Sequence, residues 1–224
     1  MKSLVFDTSS IITLATNDLL WCLKPMREMF NGEFCIPASV KRELVDVPLK
    51  IRRFRFEAMM INKIIGEELK VYDVDTGNVL ENVNSVYSSK ESIKARSPGG
   101  KIKILDKAEV DALLLADQLK GVYVVDERTL RMFVEEPENL RRLLENKLHT
   151  KISMDSDILK RFRYKVDIIR STELMTVALE NGLLDHFVKN GNKKDILDGL
   201  LWGLRLRGCA ISTEEINDMI KLVK

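Results

Sequence analysis

Histidine and cysteine are scarce in this chain of 224 residues, which has two histidines, His149 and His186, and three cysteines, Cys22, Cys35 and Cys209. No cysteine lies within ligand spacing of another, so a structural zinc site is not expected. A Ser/His/Asp or Cys/His arrangement would have to use one of two histidines in polar or helical surroundings. Histidine-based catalysis is nearly excluded, and carboxylates must carry any enzymatic chemistry. Long hydrophobic runs are also missing. The longest, 110–116 interrupted by Asp111 and 200–204, fall far short of the roughly 20 residues of a spanning helix. The apolar stretch at 3–6 is too short for a signal peptide and is closed by Asp7. The expectation is a cytoplasmic protein with no membrane partner. A one-signed charge is absent too: 36 Lys and Arg against 34 Asp and Glu leave +2, so no global field draws in nucleic acid. What is present, 45% hydrophobic and 31% charged residues, suits a globular chain that buries a core without disulfides.

The basic residues are nevertheless clustered. Lys50, Arg52, Arg53 and Arg55 form one group; Lys160, Arg161, Arg163 and Lys165 form another; Arg141 with Arg142 and Arg205 with Arg207 are smaller. Each group taken singly fits a solvated helix face. The trios Arg52, Arg53, Arg55 and Lys160, Arg161, Arg163 are the candidates for phosphate contacts with a nucleic acid.

Along the chain, the apolar run 2–6 reads as a buried strand running into a helix N-terminus at Asp7-Thr8-Ser9-Ser10. Helix-compatible residues run from Ile11 to about Phe30, with a break near Pro25. Residues 33–36 read as a second strand closed by Pro37, and Ser39 reads as the cap of a helix through Leu44. Apolar residues at Ile51, Phe54, Ala58, Ile61 and Ile65 form a helical stripe that leaves Arg52, Arg53 and Arg55 toward solvent. Residues 69–74 read as a strand and 88–103 as a loop, with Ser97-Pro98-Gly99-Gly100 among lysines. Asp106 and Glu109 have capping-box spacing at the start of a helix that Gly121 ends, and 122–126 is the next strand. This strand–helix–strand rhythm predicts an α/β fold with a doubly wound parallel sheet flanked by helices. A charged, helical segment at about 134–165 reads as an insertion before a last strand at 166–169. The expected organisation is one domain over 1–172 and a helical C-terminal extension over 173–224.

Asp7 and Asp126 each fall at the carboxyl end of a predicted buried strand, where open parallel sheets bind ligands. Glu43, Glu109 and Asp111 lie in the first turns of nearby helices. Clustered carboxylates repel one another, and a hard divalent cation is what usually lets them persist; oxygen-only ligands suit Mg²⁺ or Mn²⁺. Each acid also has a plain reading. Glu109 fits the third helical residue of a capping box, Asp7 a helix cap, Asp126 a turn residue beside Glu127, and Glu43 an exposed helical glutamate. Asp111 is harder to explain this way, because apolar residues surround it.

The segments Val5-Phe6-Asp7-Thr8-Ser9, Ile36-Pro37-Ala38-Ser39-Val40-Lys41-Arg42-Glu43-Leu44, Glu109-Val110-Asp111-Ala112-Leu113-Leu114-Leu115-Ala116 and Val124-Val125-Asp126-Glu127 resemble, in order and spacing, the PIN-domain nucleases. The resemblance covers roughly 1–133, resumes at Val166-Asp167-Ile168-Ile169-Arg170-Ser171, and extends to a branch with a helical tail. It places the family's four acids on Asp7, Glu43, Asp111 and Asp126, with Glu109 matching an extra acid of one branch. It implies a PIN-like fold and hydrolysis of phosphodiester bonds in RNA with Mg²⁺ or Mn²⁺ held by Asp7, Asp111, Asp126, Glu43 and Glu109. Thr8 and Ser9 would orient these ligands from behind. The family leaves room for a homodimer and for an antitoxin-like protein partner.

Other readings fit less well. An aspartyl nucleophile would want an acid two residues after Asp7, where Ser9 stands. A response-receiver module would want paired acids beside Asp7 and a conspicuous lysine after a late strand. A silent PIN-like scaffold that binds RNA or acts in assembly is the remaining alternative, separated from the enzyme by metal-dependent cleavage of single-stranded RNA.

Overall fold

A computed structural model describes residues 2–89, 100–162, 166–187 and 192–223. In chain order the elements are β1 (Ser3–Phe6), α1 (Thr8–Thr16), α2 (Leu23–Phe30), β2 (Glu33–Pro37), α3 (Ala38–Lys41), α4 (Arg55–Ile64), β3 (Leu69–Tyr72), α5 (Val79–Val83) and β4 (Tyr87–Ser88). They continue with α6 (Lys107–Leu119), β5 (Val122–Val124), α7 (Arg128–Glu135), α8 (Pro137–Leu148), β6 (Ser153–Met154), α9 (Ser156–Arg161), β7 (Asp167–Ile169), α10 (Ser171–Glu180), α11 (Lys193–Leu206) and α12 (Thr213–Leu222).

Five strands form a parallel sheet in the order β3-β2-β1-β5-β7. The chain therefore starts in the middle, winds outward through β2 and β3, and returns to the other side of β1 for β5 and β7. The strand order reverses between β1 and β5, and a crevice for a ligand opens at the carboxyl ends of such a pair. The central strands are near-continuous apolar runs because helices cover the sheet; Leu4, Val5, Phe6, Phe34, Cys35, Ile36, Tyr123 and Val124 are all buried. Gly121 is needed where β5 begins: a Cβ there would sit 2.7 Å from the Ser3 carbonyl oxygen.

Three local expectations are corrected. The break in the first helical stretch comes at Asn17-Asp18, where Asp18 has φ 57°. Pro25 instead sits in the first turn of α2, where no backbone N–H is missed. Ser39 is not a cap: β2 extends to Pro37, which precedes the helix, and a π-helical turn over Arg42–Asp46 follows α3. The 51–65 stripe is only half buried. Ala58 and Ile61 face the core, but Ile51, between two short 3₁₀ segments, and Phe54, at the end of the second, precede α4 and stay 43% and 45% exposed.

The charged segment builds a small second layer. β4 pairs antiparallel with β6, the Tyr87 hydroxyl donates to the Pro137 carbonyl at 2.9 Å, and Leu140 of α8 is fully buried. Of the loop expected at 88–103, residues 90–99 lie outside the described residues. At the C-terminus α11 packs on α10 and α12 through Leu197, Leu201 and Leu204. Among the described residues no helix is long and apolar enough to cross a membrane.

Candidate active site

The carboxyl end of β1 places Asp7 at the reversal point. Its N–H donates to the Val124 carbonyl of β5 at 2.9 Å, and its side chain caps α1 by accepting from the Ser9 N–H at 3.0 Å. Both the cap reading and the site reading therefore describe the same carboxylate. Asp7 is 2% exposed; Oδ2 also accepts from the Ser9 hydroxyl at 2.6 Å, while Oδ1 is buried with no hydrogen-bond partner. Burial pushes its pKa up, the Ser9 hydrogen bonds pull it back, and the nearby Asp126 charge raises it further.

Glu43 reaches the same edge from the π-helical turn, a local geometry frequent at functional sites. It accepts from the Thr8 hydroxyl at 2.8 Å. Partial burial, then the charges of Asp7 and Asp106, raise its pKa against that hydrogen bond.

Glu109 and Asp111 part company. Glu109 accepts from the Asp106 N–H at 2.6 Å as the capping box requires. It also feels Asp7 and Glu127, and burial first, then those charges, push it up to about 8. The buried Tyr123 hydroxyl donates to the Glu109 carbonyl at 3.3 Å, and its ionisation is suppressed by burial and then by Asp7 and Glu109. Asp111 is engaged by other groups: Lys107 Nζ contacts its two oxygens at 3.1 and 3.0 Å, and the Thr76 hydroxyl donates to Oδ1. Residues two apart on a helix point about 200° apart, so the two carboxylates leave α6 in different directions, and Glu109 is the one whose charge is coupled to Asp7.

Asp126 is fully buried, and both oxygens are engaged: Oδ1 accepts from the Ser171 N–H at 2.8 Å and Oδ2 from the Ser171 hydroxyl at 2.7 Å. Its own N–H donates to the Ser9 hydroxyl at 3.1 Å, so Ser9 links Asp126 to Asp7. Asp7 thus lies near enough to Asp126, Glu43 and Glu109 for their charges to act on one another, while Asp111 is engaged by Lys107 and Thr76. Among the described residues no three His, Cys, Asp or Glu side chains are arranged to hold a metal ion. Glu127, which sequence reasoning passed over as a turn neighbour, lies close enough for its charge to raise Glu109, and it caps α7 through the Leu130 N–H at 2.9 Å. Its adjacency to Asp126 was the available signal.

The basic groups separate as well. Arg52, Arg53 and Arg55 are exposed and have no carboxylate partner among the described residues, although Arg55 Nε donates to the Leu49 carbonyl at 2.9 Å. Lys160 and Arg161 are exposed at the end of α9, with Lys160 3.4 Å from Asp157. Arg163 and Lys165 lie outside the described residues. Comparison with protein-family models, curated proteins and solved structures finds no match to this chain.

Proposed function

We propose that this chain is a divalent-metal-dependent ribonuclease in which Asp7 is the residue a metal ion meets, and Glu43 and Glu109, which are not arranged around an ion in this structure, would draw in on it when it binds, with Glu127 beside them. The observation that carries the reading is the orphaned Asp7 Oδ1, sealed from water at the reversal point of the sheet and among carboxylates whose pKa values are raised. An oxygen with no donor, in a group of like charges, is a cation's place, and an all-oxygen donor set suits Mg²⁺ or Mn²⁺. Such an ion, when bound, lowers the pKa of a water and neutralises charge on a scissile phosphate. The chain's own part is positioning. Ser9 holds Asp7 and the backbone of Asp126 together, Thr8 holds Glu43, and Asp126 ties the β5 edge to Ser171. Arg52 and Arg53 supply cationic contacts for the strand.

The test pairs binding with turnover. Mn²⁺ or Mg²⁺ raises the melting temperature of the parent and supports cleavage of single-stranded RNA, and a chelator removes both effects. Asp7→Asn removes both while leaving the fold intact. Undiminished cleavage by purified Asp7→Asn protein overturns the reading. The commitment of Asp111 to Lys107 and of Asp126 to Ser171 favours a second reading, a silent RNA-binding scaffold, which predicts RNA binding without metal response.

A further inference from the structure

A groove of about 470 Å³ opens beside Glu43, between α1, the 48–54 segment and α4, within the size range of small-ligand sites. Its walls are apolar, built by Ile12, Leu44, Pro48, Ile51, Phe54 and Ile61. Four polar residues break that lining, two of them, Arg53 and Glu57, outside the acidic cluster. The Arg53 guanidinium lies 5.2 Å over the Phe54 ring, giving a planar cationic surface at the rim. Glu57 lines the groove, and its Oε2 is shut off from solvent with no hydrogen-bond partner. Asp7 Oδ1, Ser39 Oγ and Glu68 Oε2 are also unmet, but their residues do not line the groove, as Glu57 does; a buried acceptor left unmet calls for an explanation, and a ligand that brings its own donors is one. Thr16 and Glu43 also line the groove, so its occupant would lie against the acidic cluster.

The occupant that fits is flat, apolar on its faces, and equipped with N–H donors on one edge. Single-stranded RNA is read in this way, by stacking a base on an aromatic or guanidinium plane and hydrogen-bonding its Watson–Crick edge. A carboxylate accepts two parallel hydrogen bonds, and guanine alone among the four bases has two adjacent donors, N1–H and the N2 amino group, on that edge. We propose that the groove lined by Phe54, Arg53 and Glu57 is a guanine-selective base pocket flanking the acidic cluster. This rests on the reading that the cluster acts on RNA.

Binding of GMP, AMP, CMP, UMP and IMP to the intact chain without metal is measured by calorimetry, and cut sites are mapped on single-stranded RNA with Mn²⁺. GMP is expected to bind tighter than AMP by about 5- to 150-fold, the discrimination of a bidentate pair. IMP, which lacks the N2 amino group, falls between them. Glu57→Gln removes the preference for GMP, Phe54→Ala weakens all five nucleotides together, and Asp7→Asn leaves the preference in place; a thermal melt of each variant confirms folding. Selective GMP binding by a protein that cuts no RNA supports the pocket and removes the nuclease reading. RNA cleavage with no guanine preference, together with equal or absent nucleotide binding, overturns the pocket and leaves the nuclease. Phe56, on α4 two residues from Phe54, is 69% exposed; a self-associated form that Phe56→Ala disperses, with nucleotides binding in neither form, assigns the face to a second copy and overturns the proposal.

Discussion

Asp111→Asn separates a structural carboxylate from a metal-holding one. The side chain is 3% exposed and contacts Lys107 and Thr76. Asparagine keeps its shape and one acceptor but removes the anion, so the Lys107 ammonium loses its partner. Lys107 is 57% exposed and regains water. The cost therefore falls between that of a surface pair, about 0–1 kcal/mol, and that of a broken buried pair, about 3–5 kcal/mol; about 1–2 kcal/mol is expected. At this chain length each kcal/mol lowers the melting temperature by roughly 2–4 °C, giving a drop of roughly 2–8 °C. Turnover on single-stranded RNA at saturating Mn²⁺ should stay within about two-fold of the parent, because the Asp111 carboxylate is already committed to Lys107 and Thr76. Glu109→Gln should do the reverse, keeping the cap to Asp106 and losing turnover by roughly 100-fold or more, at the upper end of what supporting groups at metal sites cost. Melting curves and initial cleavage rates on the same preparations decide it. If Asp111→Asn abolishes cleavage at unchanged melting temperature while Glu109→Gln cleaves normally, the assignment is refuted.

Three further outcomes follow from other contacts. Arg170, 8% exposed, holds Glu173 and, at 2.7 Å, Glu215, and its cation keeps Glu173 below the usual carboxylate range and helps bring Glu215 to about 2. Such lowered carboxylates stabilise above about pH 4.5 and lose that contribution as pH falls toward 2. Arg170→Met should therefore cost about 2–3 kcal/mol at pH 7, discounted from the buried-pair value because both glutamates are partly exposed. The deficit in calorimetric melts should shrink by pH 3; an equal deficit at both pH values would sink the argument. Ser171→Ala, which strips Asp126 Oδ2 of its donor, should cost about 1–3 kcal/mol and reduce cleavage, and unchanged urea midpoints would contradict the role given to Asp126. Replacing Arg52 and Arg53 with alanine should lower the slope of log affinity against log salt by about 0.7 for each lost single-strand phosphate contact; an unchanged slope in filter-binding assays would mark them as solvating residues.

The sheet was legible because parallel strands covered on both faces are written as short apolar runs, and Ser3–Phe6, Glu33–Pro37 and Val122–Val124 all have that form. The capping box at Asp106 and Glu109 was legible because its partners are three residues apart. The orientation of α6 was not. Residues 110–116 are buried all round, so apolar spacing gives no face, and Asp111 looked as inward as Glu109. The fate of Asp126 was hidden for a different reason: its partner Ser171 is 45 residues away, and no local pattern connects them. The exposed half of the 51–65 stripe was misread because the chain there folds as 3₁₀ turns, which shift the helical register before α4 begins.

The tie between Asp126 and Ser171 also has a consequence in time. β7 closes the sheet late in the chain, the Val125 N–H waits for the Ile169 carbonyl, and the Asp126 carbonyl accepts from the Ala210 N–H at 3.0 Å. A chain growing from its N-terminus brings out Asp7, Glu43, Glu109 and Asp126 long before these partners. Until residues 169–171 emerge, Asp126 has no donor for its carboxylate and β5 remains an unpaired edge. The order of synthesis thus delays completion of the acidic edge until residues 169–171 are out, and a fragment ending earlier carries the acids without the frame that aligns them.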